Sequence, residues 1–147
     1  MEQTFDLTRF LKAQEDGYPI ALDEMKSGRK VSHWMWYIFP QLKGLGQSHH
    51  ATFYGILNVA EAKAYLEHPL LSKRLIEITQ LVLDSNFQNI QNVLGSHIDC
   101  LKLKSSMTLF SIAASPNLDV FDRLLERYFN AEPDAKTIQM LDSSTLM

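Results

Sequence analysis

At 147 residues, with 46% hydrophobic, 10% aromatic and 21% charged side chains, the chain has the make-up of a globular protein and not of a disordered or fibrous one. A chain of this length hides roughly 68–70% of its unfolded surface on folding, so a single domain spanning residues 1–147 is expected, with a core that needs no staples. The formal charge of −3, from 14 Lys and Arg against 17 Asp and Glu, leaves no electrostatic footprint for nucleic acid.

Asp6 is placed to cap a first helix, Leu7 to Asp16, whose inward spacing runs Leu7, Phe10, Leu11, Gln14 until Gly17 stops it. Pro19 suits the first turn of a second helix with Ile20, Leu22 and Met25 inward, and Gly28 ends it. Further on, Ser48 is a cap for a short helix through Phe53 and Tyr54. Asn58 and Glu61 have the spacing of a reciprocal cap for the next, and Pro69 both ends that helix and opens another, Leu70 to Leu83. Asn86 to Asn92 reads as a polar loop joined to a short helix ending at Gly95. Ser96 caps His97 to Ala114, Asn117 caps Leu118 to Phe129, and Asp134 caps a last turn or two through Met140 and Leu141. The tail 142–147 is expected to fray. The sum is an all-α, compact, single-domain bundle of about seven or eight helices with no significant sheet.

Two stretches do not read as plain amphipathic helix. From His33 to Ser48 the chain places both of its tryptophans within three residues and follows them with a proline, two glycines and several hydrogen-bonding side chains. Trp34, Trp36 and Phe39 offer flat apolar faces, and His33, Tyr37 and Gln41 add groups that can orient a ligand lying on them. Gly44, Gly46 and Ser48 form a loop whose exposed amides suit an anion, with Lys43 close by. The plainer reading is that the aromatics anchor a core and the glycines make a tight connection.

The second stretch, Asp99 to Phe110, is a helix apolar nearly all round, on which Asp99, Lys102 and Ser106 make a polar stripe at three- and four-residue spacing. A buried carboxylate and ammonium must be paired, so the stripe needs a partner. A ligand is one candidate. The other is an internal Asp99–Lys102 pair, with Ser105 or Ser106 bonded back to the preceding turn.

Several chemistries are set aside. His33, His49, His50, His68 and His97 have no metal-binding spacing, so neither a metal nor a cofactor is expected. No Gly-x-Ser-x-Gly elbow occurs. The single cysteine, Cys100, forms no intrachain disulfide, which suits a reducing cytoplasm, and Glu2, Asp6 and Arg9 leave the first ten residues without the character of a secretory signal. The longest apolar run, Trp34 to Phe39, is too short to cross a membrane.

The pattern Phe5-Asp6-Leu7-x-Arg9-Phe10, Ala13-Gln14, His33-Trp34-Met35-Trp36, Phe39-Pro40-Gln41, Gly44-Leu45-Gly46-x-Ser48, Tyr54-x-Ile56, Ala64-Tyr65-Leu66-x-His68-Pro69 and Asp99-x-x-Lys102-x-x-Ser105-Ser106-Met107-Thr108-Leu109-Phe110 resembles the domain-of-unknown-function 1810 family, in order and over nearly the whole chain. The resemblance implies a small, mainly helical protein of a bacterial or fungal kind and supplies no activity.

The residues themselves suggest one polar-lined aromatic pocket for a small anionic or nucleotide-like ligand. His33, Trp34, Trp36, Phe39 and Gln41 would wall it, Asp99, Lys102 and Ser106 floor it, Tyr54 with the Gly44–Ser48 loop close it, and Ser105 joins the ligand-binding residues. Were the protein an enzyme, hydrolysis or transfer at a glycosidic or phosphoryl centre would fit, with Asp99 as base or cation stabiliser, His33 as proton carrier and Lys102 as anion clamp. The alternative is a protein-interaction module in which the aromatics are core.

Overall fold

A computed structural model describes residues 5–145, with side chains as far as Asp142. Among the described residues the chain is all-α, with nine helices and a lone backbone bridge, Leu42 to Ile56, in place of any sheet. They are α1 (Thr8–Ser27), α2 (Met35–Ile38), α3 (His49–Phe53), α4 (Val59–Glu67), α5 (Pro69–Asp84), α6 (Ile90–Leu94), α7 (His97–Ala113), α8 (Val120–Phe129) and α9 (Ala135–Thr145).

Helix α7 runs through the middle and packs on α8, α4, α6, α9 and the small α2, while α5 lies against α8, α1 and α4. Its near-uniform apolar surface suits that central place, and Leu103, Met107, Leu109 and Phe110 are fully buried. One edge stays open, with Ile98, Leu101 and Ile112 exposed. Phe110 meets Tyr65 of α4 and Phe121 of α8 at ring distances of 5.3 and 5.9 Å, which joins three helices in one aromatic seam.

The predicted break at Gly17 does not occur. The chain continues as one 20-residue helix through Gly17 and Pro19, and Gly28, in the left-handed conformation at φ +80°, ends it. Phe10, Gln14, Gly17, Tyr18, Ala21 and Met25 form one buried stripe, and the packing of that stripe outweighs the hydrogen bond lost at Pro19. Glycine stands at position 17 for space, because a Cβ there would lie 2.5 Å from the Tyr37 ring. The continuous register also turns Ile20, expected inward, out to solvent at 47% exposure.

The local caps fall largely where the sequence puts them. Ser48, Asn58 and Ser96 each accept an N–H from the first turn of their helices, at 3.1, 2.9 and 3.0 Å. Asn89, expected within the 86–92 loop, caps α6 by accepting from Asn92 N at 3.2 Å, so the helix begins at Ile90. Asp134 does the same for Thr137 at 3.0 Å, but α9 runs on through Thr145. Residues 142–145 of the tail expected to fray are therefore helical, and 146–147 lie outside the described residues. Asn117 is not a cap: α8 starts later, behind Asp119, without a side-chain cap bond.

Candidate functional site

The tryptophan stretch begins on a carboxylate. Glu24, near the end of α1, accepts from Val31 N (2.7 Å), Ser32 N (2.9 Å), Ser32 Oγ (2.6 Å) and the Trp34 indole Nε1 (2.9 Å), which straps the 29–34 segment across the helix. Trp34 is buried beneath this strap. Burial pushes the Glu24 carboxyl up, but the Ser32 hydroxyl, the Ser32 and Val31 amides and the indole outweigh it and hold the group at about 2, against an ordinary 4.5. A carboxyl held lower in the folded protein contributes stability that is complete above pH 4.5 and is lost as pH falls toward 2. Urea midpoints measured from pH 6 down to pH 3 are therefore expected to fall more steeply for the native protein than for Glu24→Gln.

The strap delivers Lys30 to α7. Its Nζ lies 2.9 Å from Asp99 Oδ2 and 5.2 Å from the Trp34 ring centroid, with only 6% of the side chain exposed. Lys102, one turn beyond Asp99, places its Nζ 3.6 Å from the other carboxylate oxygen and 4.7 Å over the ring of Trp36. Two ammoniums thus share one carboxylate between two indoles. The half-buried Trp36 ring is also stacked by the imidazole of His50, at 4.7 Å and 26°. Its Nε1–H is buried without a hydrogen-bond partner.

Trp36, Gln41, Leu42, Gly46, Ala51, Tyr54 and Gly55 line a recess of about 10 Å³, room for one water molecule. So Trp36, Gln41, Gly46 and Tyr54 do meet around the recess, and Lys102, from the distant stretch, joins them only through the Trp36 ring. Gly44, at φ +103°, turns the loop beside Met140. Ser48 is exposed and bonds the amide of Ala51, inside a helix of five residues.

Other expected members are placed elsewhere. Phe39 is core, packed against Trp34 at 6.2 Å. Ser105, expected among the ligand-binding residues, instead meets Thr137 of α9 at 2.9 Å, because its direction on α7 faces that helix. Ser106 is fully buried, and its hydroxyl has no partner. His33 is exposed, with no hydrogen bond or ion pair to Asp99. Asp99 itself faces two ammoniums, which suits a counter-ion better than a proton acceptor.

Sequence reasoning missed Lys30 and Glu24 and gave His50 a bland role. Only the indole Nε1, a donor that needs an acceptor once buried, hinted at Glu24. Among the described residues no group of three or more His, Cys, Asp or Glu is gathered to hold a metal ion, and no helix is long and apolar enough to cross a membrane. Burial raises the Cys100 thiol, with Lys104 pulling weakly the other way, so it is a poor nucleophile.

A family model described as "Protein of unknown function (DUF1810)" matches residues 4–141. The crystal structure of the conserved hypothetical protein Rv1873 from Mycobacterium tuberculosis is 46% identical, superposes with a TM-score of 0.89, and aligns over 94% of this chain and 97% of its own. No curated protein matches.

Proposed function

Since the chain belongs to the DUF1810 family, whose description carries no activity, we propose from the geometry that it is a cytoplasmic binding protein for a small anionic, nucleotide-like ligand, held where Lys102 overhangs Trp36. The observation that carries this is the charge balance along α7. Lys30 and Lys102 are largely withdrawn from water and share the single carboxylate of Asp99, and Lys102, the more distant and more exposed of the two, keeps donors to offer. A partly buried excess of positive charge favours an added anion. The flat ring of Trp36, with an unsatisfied N–H at its edge, gives the rest of the ligand a surface and a donor. The lone cysteine supports the cytoplasmic part of the reading.

Binding is better supported than catalysis, because His33 does not face Asp99 and Asp99 is already engaged. The test is thermal unfolding with AMP, adenosine, ribose 5-phosphate and inorganic phosphate, followed by other nucleotides and sugar phosphates. A ligand at 100 times its Kd adds about 2.7 kcal/mol. At about 2–4 °C per kcal/mol for a chain of this size, that is a rise of about 5–10 °C. AMP is expected to give the larger rise, lost in Lys102→Ala and Trp36→Ala variants that keep their helical circular dichroism. Silence across the whole panel favours the second reading, a protein-interaction module, for which Ile98 and Leu101, one turn apart on α7 and 64% and 45% exposed, would be the contact.

A further inference from the structure

The recess beside Trp36 admits one water molecule, so any larger ligand needs the wall to move. That wall is the chain between Lys43 and Ile56. Its base is pinched shut by Lys43 N–H to Ile56 O (2.7 Å) and Ile56 N–H to Gln41 O (2.8 Å), the form of a compact loop with adjacent ends. Its returning end is tied down as well. The Tyr54 ring lies 5.4 Å from Tyr37 and 6.1 Å from Phe10, and Arg9 donates to Gly55 O at 3.1 Å. Between these anchors, Gly46 to Phe53 carries α3, which buries none of its residues. Its Phe53 ring meets the anchored Tyr54 at 4.8 Å and His50 approaches Tyr54 at 6.4 Å, while the ring contact that reaches outside the loop is His50 on Trp36 at 4.7 Å.

We propose that residues 46–53 are a lid pivoting on the pinched base, and that the His50 imidazole holds the place on Trp36 that a planar ring of the ligand takes when the lid lifts. This rests on the binding reading above and narrows the ligand to one carrying a flat π-ring within reach of its anionic group. Exchanging one flat ring for another leaves the stacking on Trp36 nearly unchanged, so net affinity comes from the anion at Lys102. An anion without a ring would have to uncover Trp36 for no return. A ring without charge would gain nothing over His50. Both adenosine and ribose 5-phosphate are therefore expected to bind more weakly than AMP.

Native-state hydrogen exchange without ligand tests the lid, reading as lid amides those of Tyr54 and Gly55, which run from the anchored end to His50 O (3.0 Å) and Thr52 O (3.4 Å) of the lid and open when it lifts. His50→Ala is expected to speed their exchange about fivefold, the scale of one lost ring pair. His50→Phe, which keeps a ring on Trp36, should restore the native rate. The base amides of Lys43 and Ile56 and the core amides of Met107 and Leu109 should stay unchanged in all three proteins. Unchanged lid amides in His50→Ala, or equal acceleration of base and core, overturns the lid. Calorimetric titration with AMP then tests the exchange of rings. Tighter binding to His50→Ala than to the native protein supports it, and weaker binding makes His50 part of the site wall and overturns it. Should the exchange rates behave as expected while AMP binds neither protein, the lid stands and the ligand reading is what fails.

Discussion

Replacing Asp99 by Asn is expected to lower stability by about 3 kcal/mol, a fall in Tm of about 6–12 °C, measurable by urea or thermal unfolding. Asn keeps the shape and an acceptor, but it removes the one negative charge that faces both Lys30 and Lys102. Lys30 decides the magnitude, since its side chain is only 6% exposed and its ammonium is held from water, whereas the Lys102 side chain at 21% recovers part of its hydration. If the pair of lysines is also an anion site, inorganic phosphate should raise the Tm of Asp99→Asn more than that of the native protein at matched ionic strength, because the added anion then supplies the missing charge. A variant within about 1 kcal/mol of native, indifferent to phosphate, would show that water reaches both ammoniums and would remove the basis for the proposed site.

A comparable loss is expected on the other side of the loop. Arg9 donates to Asp6 O (2.8 Å), Gly55 O (3.1 Å) and Glu61 Oε2 (3.2 Å), and its guanidinium lies 4.3 Å from the Phe10 ring centroid. Glu61, 4% exposed, uses its second oxygen to accept from Leu57 N at 2.7 Å. Arg9→Ala strands that carboxylate in the interior, at a cost of about 3–5 kcal/mol. Combining Arg9→Met with Glu61→Gln should recover much of it, since a neutral amide can still accept from Leu57 and no buried charge remains. Equal losses in the single and double variants would mean that the ion pair contributes nothing beyond packing.

Glu61 also marks how far a cap can be read from sequence. The spacing of Asn58 and Glu61 predicts a reciprocal cap, and Asn58 does accept the Glu61 amide. Glu61 reaches back one residue further than expected, to Leu57, because Arg9 of a distant helix draws its other oxygen. Caps, the Pro69 junction and the Gly28 and Gly95 stops were legible because each is a contact between residues a few positions apart. The site was legible in part. Trp36, Gln41, Tyr54 and Lys102 stand out as side chains too polar or too flat for their surroundings; the first three share the recess and Lys102 reaches the Trp36 ring. Ser105 stands out equally, yet it serves α9, since a hydroxyl is satisfied by any acceptor and its spacing does not say which.

The amino-acid order alone determined that this chain is helical, where most helices begin, and that an aromatic segment and a polar-striped helix need partners. Those properties follow from hydrogen bonds within a turn and from the periodicity of apolar side chains. Only the tertiary structure decided that Gly17 and Pro19 sit inside one helix, that Lys30 rather than a ligand takes the nearer oxygen of Asp99, and that His50 covers Trp36. A buried charge accepts any opposite charge, and an exposed ring any flat neighbour, that folding brings within about 5 Å, whatever their separation along the chain.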